Sequence, residues 1–231
     1  MSPLVPWYVL AATLVTMPSG EEILARVSET NARRRAVAYS GIREYSLRNA
    51  RFAMEATVRA SMIHRPGEGM HFTVLKSSGS VKLAGIVERL LAFEADASVA
   101  PKRCDYEISP VNYQARFRRT ETIAGRVCYV IDLMPRRKSR YLLDGTLWVD
   151  PGSYGVVRLQ GSPSASVSMW VGTPRITEEF TEIGGLWLPS HTHSVGTGRL
   201  LGASELEIRY TDYEIKDLGT PQARLGSAVY E

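Results

Sequence analysis

Two histidines in the C-terminal part of the chain have the spacing closest to that of a metal site. His191 and His193 lie two positions apart, which in a β-strand places both imidazoles on one face. Glu178 or Glu182, on the preceding predicted strand, could add a carboxylate to that face. Two histidines without a fixed third ligand are weak support for a metal. We therefore predict no metal site and expect the pair to face solvent or the rim of a cavity.

Three aspartates are candidates for acid and base chemistry. Asp132, Asp144 and Asp150 could supply the paired carboxylates of a glycosidase. Asp144 precedes a glycine and Asp150 precedes a proline, so turn and strand-end roles explain both. The sequence also contains no phosphate-binding glycine loop and no serine nucleophile elbow. We predict that the protein is not an enzyme and uses no cofactor.

The two cysteines, Cys104 and Cys128, are candidates for one disulfide. A disulfide requires Cα atoms within about 7 Å of each other, which the sequence does not specify. Cys128 alternates with Val127 and Tyr129, so a buried, unpaired thiol is the other interpretation. Neither cysteine has a histidine in a context that marks it as a catalytic partner.

The composition is that of an ordinary soluble globular protein. Of the 231 residues, 44% are hydrophobic and 23% are charged, which argues against wholesale disorder. The net charge of +4 accompanies no recognised nucleic-acid-binding motif, so we predict no nucleic-acid partner. The basic run at residues 136–140 is expected to be an exposed hairpin tip, with attraction to anionic lipid headgroups as the alternative.

The chain divides into three segments. Residues 4–17 form an apolar run that is too short for a confident membrane span. A secretory signal fits this run, although the charged leading region is missing; a structured strand or short anchor is the alternative. We therefore expect residues 1–18 to be a signal or apolar segment, residues 19–216 to form a single domain, and residues 217–231 to be a loop-like tail.

Two helices are predicted. Ser19 and Glu22 match a capping box before a helix at about residues 21–35. The second, at residues 81–97, has the strongest helical periodicity in the chain. Its stripe is almost wholly aliphatic, so a sheet must cover it. The residues expected to face inward are Leu83, Ile86, Val87, Leu90 and Leu91.

The rest of the chain reads as antiparallel strands. Residues 125–161 alternate with period two and form a three-stranded meander, and Gly184-Gly185 marks a hairpin further on. Turn signals recur about every ten residues, which favours a mainly β, α+β fold. We predict a strongly curved antiparallel sheet forming a half-open barrel that wraps around the helices and is closed by them. The expected cavity wall from the strands consists of Tyr129, Ile131, Leu143 and Leu147, with Trp148, Trp170 and Trp187 as further candidates.

This order of elements resembles the periplasmic lipoprotein carriers LolA and LolB, and especially the LolA-like outer-membrane lipoprotein-sorting proteins. The resemblance rests on the Arg65-Pro66 step between strands, the 125–161 meander and the hairpin at residues 184–213. It covers residues 19–215 and implies an incomplete barrel, closed by helices, around an apolar cavity for acyl chains. It also implies that Arg65, which precedes a proline, holds the helical lid closed.

The functional expectation is a non-enzymatic periplasmic carrier whose cavity lies between the curved sheet and the 81–97 helix. Its expected partners are an acylated lipoprotein or lipid, with membrane-bound donor and acceptor proteins, and the expected state is a monomer. The alternative is an interaction or scaffold protein of the same fold whose interior is filled by its own side chains. The sequence leaves the identity of the cargo open.

Overall fold

Antiparallel strands and two α-helices build the part of the protein that the structure describes. The computed structural model describes residues 17–100, 102–166, 173–198 and 202–216, so the predictions for Trp170 and the tail, and for all but the last two residues of the signal segment, lie outside the described residues. Helix α1 is Gly20–Arg35, helix α2 is Val81–Ala97, and a short 3-10 helix follows at Lys102–Asp105. The strands are β1 Ala38–Asn49, β2 Met54–Arg65, β3 Gly69–Gly79, β4 Tyr113–Ile123, β5 Arg126–Pro135, β6 Leu143–Val149, β7 Val156–Pro163, β8 Arg175–Ile183, β9 Leu186–Gly198 and β10 Gly202–Lys216.

All ten strands form one curved sheet in the order β3-β2-β1-β10-β9-β8-β7-β6-β5-β4. The pairing that joins its two halves is antiparallel and runs between β1 and β10, from Ala38 opposite Lys216 to Asn49 opposite Ser204. Strands β3 and β4 are the two edges, so the barrel is not closed. The predicted fold class, a half-open antiparallel barrel with helices, is confirmed.

Helix α1 covers the β4 edge. Its N-terminus is fixed by the predicted capping box, in which the Ser19 hydroxyl accepts from the Glu22 amide at 3.2 Å and the Glu22 carboxylate accepts from the Ser19 amide at 2.7 Å. The Glu21 carboxylate accepts from the amide of Ala115 on β4 at 3.0 Å. A Cβ at Gly20 would lie 2.6 Å from the Ala115 carbonyl oxygen, so a side chain there would keep the helix away from the strand.

Helix α2 covers the opposite edge, where it packs on β3, β2 and β1. The chain reaches it directly from the end of β3 and leaves it through the 3-10 helix towards β4. Helix α2 and the segment that follows it therefore connect the two edges of the sheet across its concave side. Exposed sheet edges are prone to pair with other chains, and helices that cover them reduce this tendency.

The apolar interior is divided between the two helices. The α1 cluster joins Ile23, Leu24 and Val27 to inward side chains of β4 to β7, and the α2 cluster joins the α2 stripe to β1, β2 and β10. The buried members contributed by the sheet to the α1 cluster include Tyr113, Ala115, Ile131, Leu133, Leu147, Val149, Val156 and Leu159. Those contributed to the α2 cluster are Tyr45, Leu47, Ala56, Val58, Ala60 and Ile208.

Replacing Leu24 tests whether α1 is a structural part of this interior. Leu24 is fully buried, so Leu24→Ala should lower the free energy of unfolding by about 2–5 kcal/mol through lost burial and a residual cavity. Urea denaturation measures the change. The matched control is Leu75→Ala on β3, where the leucine is 54% exposed and the loss should be much smaller. Equal losses for the two variants would contradict the assigned packing.

Candidate functional site on the concave face

One row of directly paired residues crosses the whole concave face. Such neighbours point to the same side of a sheet, so the row shows which side chains share this face. In order from β3 to β4 it comprises Ser77, Val58, Tyr45, Ile208, Thr192, Glu178, Leu159, Leu147, Ile131 and Phe117. Between its ends the row is apolar except at its centre, where Thr192 and Glu178 separate the α2 cluster from the α1 cluster.

A buried arginine on β1 binds helix α2. Arg43 is 3% exposed, and its guanidinium donates to the Glu94 carboxylate of α2 at 2.5 Å and to the Tyr45 hydroxyl at 3.2 Å. The guanidinium also lies over the rings of Phe72 and Tyr210, at 4.8 and 5.0 Å from their centroids. An ion pair flanked by aromatic faces therefore ties the lid-like helix to the middle of the sheet.

The surroundings keep this arginine charged. Burial by itself lowers the pKa of Arg43, but the negative charge of Glu94, together with the Tyr45 and Tyr210 hydroxyls, raises the pKa well above its usual range. Burial likewise raises the pKa of the Tyr45 hydroxyl to about 12, so this hydroxyl stays neutral. Arg43 therefore remains a cation throughout the physiological pH range.

Further contacts hold the C-terminal half of α2. The Ser98 hydroxyl at its C-cap accepts from the Met70 amide of β3 at 2.7 Å. Phe93 stacks on Tyr141 of the β5–β6 connection with ring centroids 5.0 Å apart, and Tyr106 packs edge-on against both rings. Helix α2 is thus fastened to β1, β3 and the far half of the sheet at the same time.

Glu178 is the one carboxylate in the concave row. It lies deep on the sheet between Leu159 and Thr192, which are 4% and 9% exposed, yet its own side chain is only partly buried. Burial raises the pKa of Glu178 to about 7, an effect that Glu94 adds to and that Arg34 and Arg43 oppose. Among the described residues, none forms a hydrogen bond or an ion pair with its carboxylate.

The predicted inward stripe of α2 is mostly correct. Leu83, Val87 and Leu91 are buried in the α2 cluster, and Leu90 packs at its margin. The prediction is wrong for Ile86, which is 42% exposed. The buried stripe runs through Leu83, Ala84, Val87 and Leu91, and at 100° per residue Ile86 points about 110° away from its centre.

The strand residues predicted to line the cavity lie under α1 instead of α2. Ile131 and Leu147 are buried members of the α1 cluster, and Tyr129 and Leu143 pack against it. Because α1 fills the concave side there, these residues do not share a space with the α2 stripe. The α1 cluster and the α2 cluster lie on the same face of the sheet but are separate.

Neither described tryptophan lines the concave face beneath α2. Trp148 pairs with Val130 and packs with it and Cys128 on the opposite face of the sheet, because strand neighbours alternate sides. Trp187 is 5% exposed and closes the β6–β7 turn, where its indole NH donates to the Ser153 hydroxyl at 2.9 Å. Its ring fills the space beside Gly155, where a Cβ would approach it to 2.0 Å.

The predicted lid contact of Arg65 is also wrong. Arg65 is exposed at the end of β2 and pairs with Glu68 of the same hairpin at 3.3 Å. The Arg65 side chain is 55% exposed and Glu68 is its hydrogen-bond partner, whereas Arg43, in the middle of β1, reaches the helix. The sequence signal for Arg43 was available but weak, namely a single arginine between Ile42 and Tyr45 in an otherwise half-apolar strand.

The candidate disulfide does not form. Cys104, in the 3-10 helix, and Cys128, on the convex face of β5, are both free thiols. Cys104 is exposed and Cys128 is fully buried, so the second interpretation, a small buried hydrophobe, is the correct one for Cys128. Burial accordingly raises the pKa of the Cys128 thiol.

The two histidines lie on the convex face. His191 pairs with Glu207 at 3.2 Å and His193 with Glu205 at 2.7 Å, both on β10. Glu178 does not join them, because it points to the opposite side of the sheet. In the part of the chain that the structure describes, no three acidic, histidine or cysteine side chains are grouped to hold a metal ion.

A cavity of about 500 Å³ opens at the end of the sheet beside the β1–β2 turn. It is lined in part by Arg48, Asn49, Met54 and Ser204, and Met54 also packs against the α2 cluster. This cavity lies beyond the α2 stripe and not beneath it. Under α2 the aliphatic stripe instead contacts the sheet directly.

Three solved structures align with most of this chain. An outer-membrane lipoprotein-sorting domain assigned in Vibrio parahaemolyticus matches 87% of this chain and 94% of its own, at 13% identity and a TM-score of 0.51. A LolA superfamily protein from Nitrosomonas europaea matches 88% of this chain and 96% of its own, at 17% identity and a TM-score of 0.47. The Pseudomonas aeruginosa MucA/MucB complex matches 85% of this chain and 99% of its own, at 13% identity and a TM-score of 0.34.

The protein has a LolA-like fold. This assignment rests on the Vibrio parahaemolyticus domain, whose TM-score is above 0.5. No protein-family model and no curated protein matches the sequence. In the described ranges, neither helix is long and apolar enough to span a bilayer.

Removing Glu94 tests the attachment of α2. Glu94→Gln leaves the Arg43 charge buried without its carboxylate, so we expect the free energy of unfolding to fall by about 2–4 kcal/mol. Chemical denaturation measures the loss. The matched control is Glu55→Gln, which breaks an exposed pair with Arg48 and should cost less than about 1 kcal/mol. A loss at Glu94 no larger than at Glu55 would refute the structural role of the pair.

The pH dependence of stability tests the position of Glu178. Its folded-state pKa of about 7 lies above the usual 4.5, so the folded state binds the proton more tightly than the unfolded state. The resulting stabilisation is present at low pH and is lost as pH rises through about 7, by up to about 3 kcal/mol. We expect Glu178→Gln to remove this pH-dependent part of the stability, whereas Glu179→Gln, on the convex face, should keep it. Thermal unfolding at a series of pH values measures the difference.

Proposed function

We propose that the protein is a non-enzymatic carrier that binds an acyl chain on the concave face, beneath helix α2. The observation that carries the proposal is the packing of α2, which lies on the concave side of β1 to β3 with an aliphatic buried stripe. A sheet with the lipoprotein-sorting fold makes an acylated lipoprotein or lipid the first cargo to test. In this proposal, the arrangement with α2 packed on the sheet is the closed form.

The exchange of α2 for an acyl chain is energetically feasible. Lifting α2 exposes Leu83, Val87 and Leu91 together with the sheet beneath them. An acyl chain that takes their place recovers about 0.8 kcal/mol for each buried CH₂ group, so a long chain replaces the lost apolar burial. The polar cost is concentrated in the single buried pair between Arg43 and Glu94. Loading therefore depends mainly on how easily that pair opens.

The cellular setting belongs to the same proposal. A carrier of this type would act in the periplasm, receive its cargo from a membrane-bound donor and deliver it to a membrane-bound acceptor, as a monomer. The apolar run at residues 4–17 supports export as a secretory signal. No nucleic-acid partner and no chemical reaction are part of the function, because transfer requires only movement of α2.

The direct packing of α2 supports a second candidate. If the stripe never leaves the sheet, the interior is permanently filled and the protein is an interaction or scaffold module of the same fold. The contacts at both Glu94 and Phe93 favour this reading, since they fasten the helix at two separate points. The two candidates differ in one property, which is whether α2 moves when an acyl ligand binds.

A reversible cross-link between α2 and the far half of the sheet distinguishes the two. Phe93→Cys with Tyr141→Cys places two thiols where stacked rings now lie, in a background of Cys104→Ser and Cys128→Ala. A short, reducible thiol cross-linker should abolish binding of a fluorescent fatty-acid probe, and reduction should restore it. Probe titration before and after reduction measures the effect.

The Phe93→Cys single variant, treated with the same reagent, is the control for modification alone. Equal probe binding by the linked and reduced forms would contradict a lid role for α2. Absence of binding in every form, with no lipid in extracts of the purified protein analysed by mass spectrometry, would favour the filled-interior module.

A further inference from the structure

We propose that the cargo carries a hydrogen-bond donor, such as an ammonium or amide group, and that Glu178 binds this donor on the concave face. This inference rests on the proposed carrier function and deepens it by naming a polar group that the ligand must have. An aliphatic chain alone would need only an apolar surface. The centre of the concave face is instead occupied by a carboxylate.

The position of Glu178 is suited to contact with a ligand. It stands between the two apolar clusters, next to Leu159 on one side and Thr192 on the other. The inward side chains of its strand, Ile176, Glu178 and Phe180, are all only partly buried, whereas Leu159 is almost fully covered. The helices therefore cover the concave face less completely at β8 than at the neighbouring strand β7. A chain lying in either cluster can place an attached polar group there.

The neighbouring polar groups are already engaged with other partners. Arg43 of β1 donates to Glu94 of α2, and Arg34 of α1 donates to the Trp187 carbonyl oxygen at 3.3 Å. The hydroxyls of Tyr210 on β10 and Thr192 on β9 bond to each other at 3.1 Å. Among the described residues none donates to the Glu178 carboxylate, although Arg34 and Arg43 are near enough to oppose the rise in its pKa.

The Glu178 carboxylate is a partly buried acceptor on a mostly apolar face, and a ligand that covers it from water without supplying a donor would pay a desolvation cost. A ligand that supplies the donor avoids that cost. An ammonium group does so most strongly, because both partners of the hydrogen bond are then charged. A neutral amide also satisfies the acceptor. A carboxylate at the same place has no proton to donate and repels the ionised glutamate. The site should therefore rank ligands of equal chain length by their polar group.

The test is competition for a fluorescent fatty-acyl probe by dodecylamine, dodecanamide and dodecanoate. At pH values above the Glu178 pKa of about 7, dodecylamine should bind on the order of tenfold more tightly than dodecanoate. Glu178→Leu should bring the two affinities within about twofold, while Glu179→Gln, on the convex face, should keep the wild-type ratio. Amine binding should also lower the pKa of Glu178, and the NMR chemical shift of its carboxyl carbon measures this pKa.

The possible outcomes separate this inference from the carrier function. If all three ligands bind with equal affinity in the wild type and in Glu178→Leu, the role of Glu178 is refuted and the carrier function stands. If a preference for the amine survives in Glu178→Leu, it arises elsewhere and the inference is likewise refuted. If no ligand displaces the probe and no probe binds, both proposals are refuted. Glu178→Gln provides a second variant of nearly unchanged shape should Glu178→Leu fold poorly.

Discussion

The pairing of the first strand with the last strand determines the rest of the architecture. Because β10 adds to β1, the two halves of the chain join into one sheet, and the free edges become β3 and β4, which are consecutive in sequence. The connection between them must then cross the full width of the curved sheet. Helix α2 and the 3-10 segment make that crossing, so a lid-like helix on the concave side follows from the topology and does not require a separate folding signal.

The same pairing explains why polar groups occupy the middle of the interior. Helix α1 packs on β4 to β7, and the α2 cluster includes side chains of β1, β2 and β10, so the middle of the concave face lies between the two helices. Two helices cannot cover a ten-stranded sheet completely, and the central strands carry the residues that tolerate partial exposure, including Glu178 and Tyr210. Arg43 at the border of this region gives α2 a fixed attachment point. Apolar packing thus stabilises each half, and the Arg43–Glu94 pair holds α2 on β1.

The sequence predicted the elements much better than it predicted the site. Periodicity and turn residues identify strands and helices because they are local properties, and the capping box at Ser19 and the Gly184-Gly185 turn are both present as expected. The face of a strand that turns inward depends on strands far away in the chain. The predicted wall residues Tyr129, Ile131, Leu143 and Leu147 therefore lie under α1, and Trp148 lies on the convex face. Ile86 is exposed because the buried stripe of α2 is narrower than predicted. Arg65 was chosen because it precedes a proline. The arginine that contacts α2 is Arg43, in the middle of β1, and its position under the helix depends on how β1 pairs with β10.

In the proposed carrier, two charged features of the concave face, the Arg43–Glu94 pair and Glu178, both respond to the opening of α2. When α2 rises, Glu94 leaves with the helix and Arg43 remains on the sheet between Phe72 and Tyr210, so the open state contains a cation without its carboxylate. Glu178 lies close enough for both Arg43 and Glu94 to influence its pKa, and departure of Glu94 leaves Glu178 beside a cation with no competing anion. Opening therefore favours the ionised form of Glu178, because a neighbouring positive charge stabilises a carboxylate. Lid movement and the charge of the binding surface are in this way a single linked equilibrium, and a ligand that binds the ionised carboxylate stabilises the open helix.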